Sequence, residues 1–251
     1  MNSFLRRYPP PWKERQEQLL KDAQDEIAVS IRDIPLITCS LVLVNALVFI
    51  IVPQGNYESI VLRWGFTPSK ITQLESLPTF ITHMFLHADT LHLFLNMLIF
   101  LQFGFLCERK IGGRKLLLIY FVSGISGALV HALFNLESDV PAIGASGAVF
   151  GVLAGYALLY PERPLYLMWG HMPVKVPSIL GVAFVFLLET IYAFIGGNPY
   201  IAHTAHLGGG LGGVILTAAI FPKESMQILS DIVNALTAGL LPVPEQKPER
   251  L

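Results

Sequence analysis

Ser146 and His206 are the residues of this sequence best suited to chemistry. Ser146 stands in the run Gly144-Ala145-Ser146-Gly147, and His206 is followed at once by a glycine-rich run. A serine becomes a nucleophile when a neighbouring base removes its proton, and histidine is the usual base. Flanking glycines permit tight turns and close approach of a substrate carbonyl. These residue types suit acyl transfer, although GASG alone fits better a serine that caps a glycine-rich packing helix.

The spacing of the glycines offers a way to bring Ser146 and His206 together. Two sets recur at helical spacing: Gly147, Gly151 and Gly155 in one segment, and His206, Gly209 and Gly213 in another. Stripes of small residues let two membrane helices approach closely. If the two stripes face each other, Ser146 and His206 meet across the contact. Simple packing is the alternative, but packing does not account for a histidine on the stripe.

Other polar residues lie at the ends of apolar segments or inside them, where polar groups are costly and are functional hypotheses by default. His87 is interpreted as structural, and His92 and Asn96 follow it one helical turn apart. His203 precedes His206 by one turn and is interpreted as lining the pocket. Glu189 is the only acidic residue within an apolar segment. We expect it to line a water-filled gap or to bond a neighbouring helix, with substrate gating as a functional alternative.

Membrane helices are the elements that must position these residues. The chain has 251 residues, of which 53% are hydrophobic and 14% charged, and its mean hydropathy is +0.57. Soluble domains carry about 25% charged residues, and a bilayer core needs about 20 apolar residues in a helix. Six segments meet or approach that length: 36–53, 91–107, 115–134, 146–160, 178–195 and 200–221. We therefore predict an all-α polytopic membrane protein with a six-helix bundle.

The positive charges test this count, because cytoplasmic loops collect Lys and Arg. With both termini inside, 15 of the 17 Lys and Arg residues fall on the cytoplasmic side, and Arg63 and Lys70 are the exceptions. Both termini are therefore expected in the cytoplasm. The net charge of -1 gives no reason to expect nucleic acid as a partner. The two cysteines suggest neither a disulfide framework nor a zinc site.

The apolar segments and the distribution of charge divide the chain into three parts. The expected parts are a cytoplasmic segment 1–35, a six-span domain 36–221 and a cytoplasmic tail 222–251. Within the first part, 11–33 alternates charges of both signs and is interpreted as a solvated helix. Within the last, 228–241 is interpreted as a surface helix or a loose tail. The start lacks the apolar core of a secretory signal, and we expect a cell (plasma or inner) membrane location.

The long connection 54–90 between the first two spans is predicted to lie on the outer side. It contains Trp64, Phe66 and several apolar residues, which argues against a flexible linker. Aromatic and amphipathic segments settle at the level of the lipid headgroups. We therefore expect this segment to form a hairpin that lies at the membrane interface.

Three blocks of residues resemble the signature of rhomboid proteases. They are His87-x4-His92-x3-Asn96, Gly144-Ala145-Ser146-Gly147, and Ala205-His206-Leu207-Gly208-Gly209 with Gly213. Their order also fits, since they belong to the second, fourth and sixth predicted spans. The resemblance covers roughly residues 36–221. The run 108–112 (ERKIG) is similar to that family's inner-loop motif, with Lys110 where arginine is usual. The family's Trp-Arg pair is replaced by Pro78 and Thr79, which leaves the anchoring of the outer hairpin open.

The resemblance implies a role for each matching residue. Ser146 would be the nucleophile and His206 the general base and acid, a dyad without a carboxylate, in keeping with the absence of Asp or Glu beside His206 on its helix. His92 and Asn96 would stabilise the oxyanion together with the Ser146 backbone N–H. Phe150 would pack against the His206 ring.

The remaining implied roles concern packing, substrates and alternatives. Gly144, Gly147 and Gly209 would shape the pocket and permit close helix packing. The substrates would be transmembrane proteins cleaved in the lipid, with no cofactor and no metal. A non-catalytic rhomboid-like protein that binds membrane clients is the alternative. A small transporter is a third possibility, but the sequence shows no internal repeat of the kind many transporters have.

Overall fold

Helices make up almost all of the regular structure. The computed structural model describes residues 34–52, 54–169, 172–196 and 201–237. Within these residues the helices and strands are α1 Leu36–Ile51, α2 Tyr57–Trp64, α3 Thr79–Thr82, α4 Thr90–Ile111, α5 Gly113–Phe134, α6 Ser146–Leu159, β1 Pro164–Trp169, β2 Met172–Pro177, α7 Ser178–Ile195, α8 His203–Ile220 and α9 Pro222–Thr237. The solvated helix expected in 11–33 and the tail beyond 237 lie outside the described residues.

The apolar helices differ in length. In the described ranges, α4, α5 and α7 are long and apolar enough to cross a membrane, and α8 reaches the same standard only together with α9, from which it is bent by 112°. The helices α1 and α6 are apolar but have 16 and 14 residues, and 14 residues rise about 21 Å, less than the roughly 30 Å of a bilayer core. The described fold is mostly helical, as predicted, apart from one pair of short strands. Length and composition support three or four spans, and the count of six stays a prediction.

Helix α6 lies at the centre of the bundle. Eleven of its 14 residues are buried, and it contacts α4, α5, α7 and α8. A helix that is apolar on every side is stable when other elements surround it. The residue that begins this helix, Ser146, is therefore held by the most enclosed element of the described fold.

The two glycine stripes face each other, as the spacing predicted. A Cβ atom added to Gly209 of α8 would lie 2.6 Å from the carbonyl carbon of Gly147 in α6. One added to Gly213 would lie 2.6 Å from the carbonyl carbon of Gly151. Side chains cannot occupy such positions, so the backbones of α6 and α8 touch directly. Backbone contact fixes the relative position of the two helices more tightly than contact through mobile side chains.

Helix α5 completes the packing around these two helices. The Ser126 hydroxyl of α5 donates to the Gly208 carbonyl at 2.8 Å. A Cβ atom on Gly127 would lie 2.7 Å from the Ala205 carbonyl oxygen. The start of α8, which carries His206, is thus held from two sides by α5 and α6.

The segment 54–90 folds into α2, α3 and 3-10 turns that dock on α5. Phe66 is fully buried and packs with Ala128 and Ala132 of α5. Its backbone also forms a two-bond bridge with Ala142, at 3.0 and 2.8 Å. The segment predicted as a hairpin thus consists of helical turns, and Phe66 supplies a contact with the bundle. A position at the membrane interface stays a prediction.

Two contacts organise the end of the bundle opposite to Ser146. The Glu108 carboxylate of α4 accepts the backbone N–H of Ile37 at 2.9 Å and both the N–H and the hydroxyl of Thr38 at 2.7 Å. The first N–H groups of a helix lack partners within it, so Glu108 caps α1. The Lys110 ammonium contacts the Leu159 carbonyl and lies 4.2 Å from the Tyr160 ring centroid. A cation at the carboxyl end of α6 is favourable for the helix dipole.

Two elements between and after the spans complete the description. Strands β1 and β2 form an antiparallel pair, with Pro164 opposite Pro177, and this pair was not predicted from the sequence. Helix α9 exposes Met226 and Leu229. The expected helix in 228–241 is present as far as residue 237, and its place at a surface stays a prediction.

Candidate active site

Ser146 is the first residue of α6. Gly144, two residues earlier, has a φ of 117°, a conformation that is strained for any residue other than glycine. No side chain caps this helix start, and the Ser146 hydroxyl lies 2.9 Å from His206 Nε2. The hydroxyl therefore bonds across to α8 and does not cap its own helix, which removes the capping alternative for this serine.

His206 is enclosed and held in one orientation. Its exposed fraction is 8%, and the Phe150 ring stacks on it with a centroid distance of 4.2 Å and an interplanar angle of 7°. The expected packing of Phe150 is therefore present. Because the ring is clamped in its plane, Nε2 points at Ser146 while Nδ1 points at a different partner.

That partner is Glu189 of α7, whose Oε2 lies 2.9 Å from His206 Nδ1. The expectation that His206 has no carboxylate partner is wrong. No acidic residue lies on the helix of His206, and the carboxylate comes instead from the preceding helix, 17 residues earlier in the chain. The sequence did hold a sign of it, because Glu189 is the only acidic residue in an apolar segment. The expectation that Glu189 bonds a neighbouring helix is confirmed.

His203 shares the same carboxylate oxygen. Its Nδ1 lies 2.7 Å from Glu189 Oε2, and its exposed fraction is 9%. Its ring bonds Glu189 and packs near Tyr192 at 5.4 Å. This contact agrees with a supporting position in the pocket and gives no support to His203 as the base.

Among the described residues, Glu189, His203 and His206 form the group whose donor atoms could hold a metal, since one atom from each lies within 4.8 Å of the others. The two Nδ1 atoms approach Oε2 at 2.7 and 2.9 Å. Ligands of a tetrahedral zinc ion with bonds of about 2.0 Å stand roughly 3.3 Å apart. The distances are therefore those of hydrogen bonds, and we describe the cluster as a hydrogen-bonded one.

The residues expected to stabilise an oxyanion lie on α4. A Cβ atom on Gly144 would lie 2.8 Å from His92 Nε2, so the His92 ring packs directly against the turn that leads into Ser146. The Asn96 amide donates to the His92 carbonyl at 2.9 Å, which uses one of its two N–H bonds and leaves the other. Their expected roles stay predictions.

His87 supports the same turn from behind. The backbone N–H of Ala145 approaches His87 Nε2 at 3.4 Å, and the His87 ring meets the His92 ring edge-on at 5.1 Å. Burial lowers the pKa of His87 to about 4, so the imidazole is neutral and can accept this bond. These contacts agree with the structural interpretation of His87.

The geometry defines a class of protein: a helical membrane protein with a serine–histidine pair at a helix start. Residues 74–223, more than half of the chain, match the family model described as Rhomboid domain. The chain belongs to the rhomboid family, and the resemblance seen in its motifs is confirmed.

Individual relatives differ in what their names state. RHOMBOID-like protein 6, mitochondrial, from Arabidopsis thaliana is 35% identical over 136 residues, which are 54% of this chain and 41% of the relative. Rhomboid protease GluP from Bacillus subtilis (strain 168) is 32% identical over 169 residues, 64% of this chain and 30% of the relative. Inactive RHOMBOID-like protein 8 from Arabidopsis thaliana is 28% identical over 145 residues, 58% of this chain and 38% of the relative.

The chain spans between 30% and 49% of the length of these and similar relatives. The family includes a named protease and a named inactive protein, so membership by itself does not assign an activity. An activity therefore has to be inferred from the arrangement of the site residues.

Proposed function

We propose that this chain is an intramembrane serine endopeptidase that hydrolyses peptide bonds in or near transmembrane segments of other membrane proteins. The observation that carries the proposal is the 2.9 Å contact between Ser146 Oγ and His206 Nε2. It joins a hydroxyl that caps no helix to a clamped imidazole, which is the geometry of an activated nucleophile. Backbone contact between the glycines of α6 and α8 supports it, because that contact sets the distance.

The reaction would pass through an acyl-enzyme. Ser146 attacks the peptide carbonyl while its proton moves to His206 Nε2, and the O–H bond breaks as the N–H bond forms. The oxyanion would be stabilised by the first free N–H groups of α6 together with His92 and Asn96. His206 then gives the proton to the leaving amine, and water releases the acyl group by the same steps in reverse order. No metal or cofactor takes part in these steps.

A six-span arrangement with both termini in the cytoplasm completes the proposal. The distribution of Lys and Arg supports it, and so does the burial of the short helix α6, which can start below the membrane surface because protein surrounds it. Ser146 would then lie toward the outer side. We propose a plasma or inner membrane location. Transmembrane proteins in the surrounding lipid would be the substrates.

Active-site labelling tests the proposal directly. The full chain, purified in detergent, is treated with a fluorophosphonate probe, and the modified residue is located by mass spectrometry beside Ser146→Ala and His206→Ala. We expect labelling at Ser146 that is lost in both variants. In parallel, cleavage of a single-span model substrate in liposomes should disappear in Ser146→Ala. Full cleavage by Ser146→Ala would refute the proposal.

A non-catalytic, client-binding protein is the second candidate, because a relative named as inactive is 28% identical. It predicts no labelling in a chain that is folded, as judged by a cooperative thermal transition, together with retention of a membrane client in detergent. The bond between Ser146 and His206 argues against it, since a binding role does not require that contact.

A further inference from the structure

We propose that Glu189 is a positioning residue that orients His206 and stabilises its protonated form, so that the site works as a serine–histidine–glutamate arrangement with His203 as a second donor to the same carboxylate. This inference rests on the proposed function. It extends that function to a residue that the motifs do not include and that lies on a different helix.

The contacts fix the tautomer of His206. Glu189 Oε2 is an acceptor, so the His206 nitrogen that lies 2.9 Å from it must carry the hydrogen. A neutral imidazole has one N–H, and with the hydrogen on Nδ1 the lone pair belongs to Nε2. Nε2 is the atom 2.9 Å from the Ser146 hydroxyl. Glu189 thereby presents the basic nitrogen of His206 to the nucleophile.

The bond to Glu189 becomes stronger as the reaction proceeds. Before attack, a carboxylate accepts a hydrogen bond from a neutral ring. Once His206 has taken the Ser146 proton, the same bond joins a carboxylate to an imidazolium, and charge-assisted bonds are roughly twice as strong as neutral ones. The side chains of His206 and Glu189 are only 10% and 15% exposed, which limits screening by water. An interaction that strengthens only in the transition state raises kcat and leaves KM nearly unchanged.

Substitution of His203 distinguishes a positioning role of Glu189 from a role in packing α7 against α8. His203 donates to the same oxygen at 2.7 Å, so it draws on the negative charge that His206 uses. Without His203, the negative charge of Glu189 interacts with His206 alone. When Glu189 loses its charge, His206 has no anionic partner. The two changes should therefore alter the basicity of His206 in opposite directions. A loss of packing between α7 and α8 would give both variants the same sign.

The other groups that face His206 bear on its titration as well. His203 lies on its own helix and Glu189 on α7. His92 of α4 and His131 of α5 interact with it electrostatically, and Phe150 of α6 stacks on it without a charge. His92, His131 and Phe150 are unchanged in the variants below, so their contribution is the same in all of them.

Steady-state kinetics of the full chain in liposomes test the inference. Glu189→Gln keeps the size and an acceptor oxygen but removes the charge. We expect kcat to fall about 100-fold, within the range for general-base assistance, with KM within about two-fold. The ascending limb of the profile of kcat against pH should move to lower pH, because loss of a nearby anion makes His206 less basic. Glu189→Asp should recover part of the rate.

His203→Ala provides the opposite test, since its ascending limb should move to higher pH. Thr190→Ala is the matched control on α7, because the Thr190 hydroxyl donates to Phe186 of its own helix at 2.8 Å. It should leave the rate and the pH profile as they are. Because His203→Ala retains Glu189, it tests the inference even if Glu189→Gln does not fold.

The outcomes separate this inference from the proposed function. If Ser146→Ala is inactive and Glu189→Gln has the wild-type kcat and pH profile, Glu189 is no positioning residue, whereas the protease proposal stands. Shifts of the same sign in Glu189→Gln and His203→Ala would also overturn the inference in favour of a packing role. Full activity of Ser146→Ala would overturn the proposed function itself.

Discussion

The direct contact between α6 and α8 predicts a large effect of one added methyl group. In Gly209→Ala the new Cβ would lie 2.6 Å from the carbonyl carbon and 2.9 Å from the Cα of Gly147, whereas ordinary contact begins at 3.4 Å. The carbonyl oxygen of Gly147 lies closer still, and these backbone atoms cannot rotate away, so the helices must separate by at least about 0.8 Å. The contact lies beside the site, because Gly147 follows Ser146 and Gly209 is one helical turn beyond His206.

A separation of this size breaks the hydrogen bond between Ser146 and His206. The Ser146 Oγ to His206 Nε2 distance of 2.9 Å would grow to at least about 3.7 Å, beyond hydrogen-bonding distance. A misplacement of about 1 Å costs on the order of 100-fold in rate. We therefore expect initial rates of model-substrate cleavage by Gly209→Ala to be about 100-fold below wild type, and fluorophosphonate labelling of Ser146 to slow in parallel.

Two further glycines calibrate this prediction. Gly55 has nothing within 4 Å of an added Cβ, and Gly55→Ala should match wild type. A Cβ on Gly147 would meet the Ala205 carbonyl oxygen at 3.4 Å, so Gly147→Ala should lose much less rate than Gly209→Ala although both glycines lie in one contact. A folded Gly209→Ala protein with the wild-type rate would refute the reasoning that backbone contact sets the catalytic distance.

Two predictions concern stability. Glu108→Gln removes the charge that accepts three hydrogen bonds at the start of α1 and should lower the free energy of unfolding by about 2 kcal/mol; an unchanged thermal midpoint in detergent would contradict this. Burial lowers the pKa of His83 to about 4, against 6.5 ordinarily. Between about pH 6.5 and 4 the unfolded chain binds a proton that the folded chain does not, so the free energy of unfolding falls with falling pH, by at most about 3 kcal/mol. His83→Gln should flatten this part of the pH dependence of the thermal midpoint, and parallel curves would count against it.

The sequence predicted those features that depend on local spacing. The stripe of Gly147 and Gly151 against that of Gly209 and Gly213 follows from helical periodicity, and the structure has that contact. The meeting of Ser146 and His206 follows from the same stripes, because each residue adjoins the glycines of its own helix. Helix existence was equally predictable, since long apolar runs can satisfy their backbone groups in lipid only as helices or closed barrels.

The features that were missed depend on contacts between distant parts of the chain. Glu189 reaches His206 because α7 and α8 pack side by side, and no periodicity within either helix gives the rotation of one against the other. Phe66 anchors the segment 54–90 by packing on α5 at a position that no motif marks. The strand pair between Pro164 and Pro177 joins residues whose apolar run is too short to separate a strand from a helix.

Helix α7 is fully buried only in its first turns, and under the proposed function this has a consequence for the timing of cleavage. Its buried residues are Ser178, Gly181 and Val182, all in its first turns, whereas Glu189 lies in the later, more exposed half. If that half swings away from α8, a gap opens toward the lipid and the carboxylate leaves His206 in the same movement. The base is then weakest while a foreign helix is passing, and it regains strength only after α7 has returned. A helix that diffuses past quickly would escape, and one whose residence time exceeds the return of α7 would be cut, so selection among membrane proteins would act through dwell time as well as through sequence.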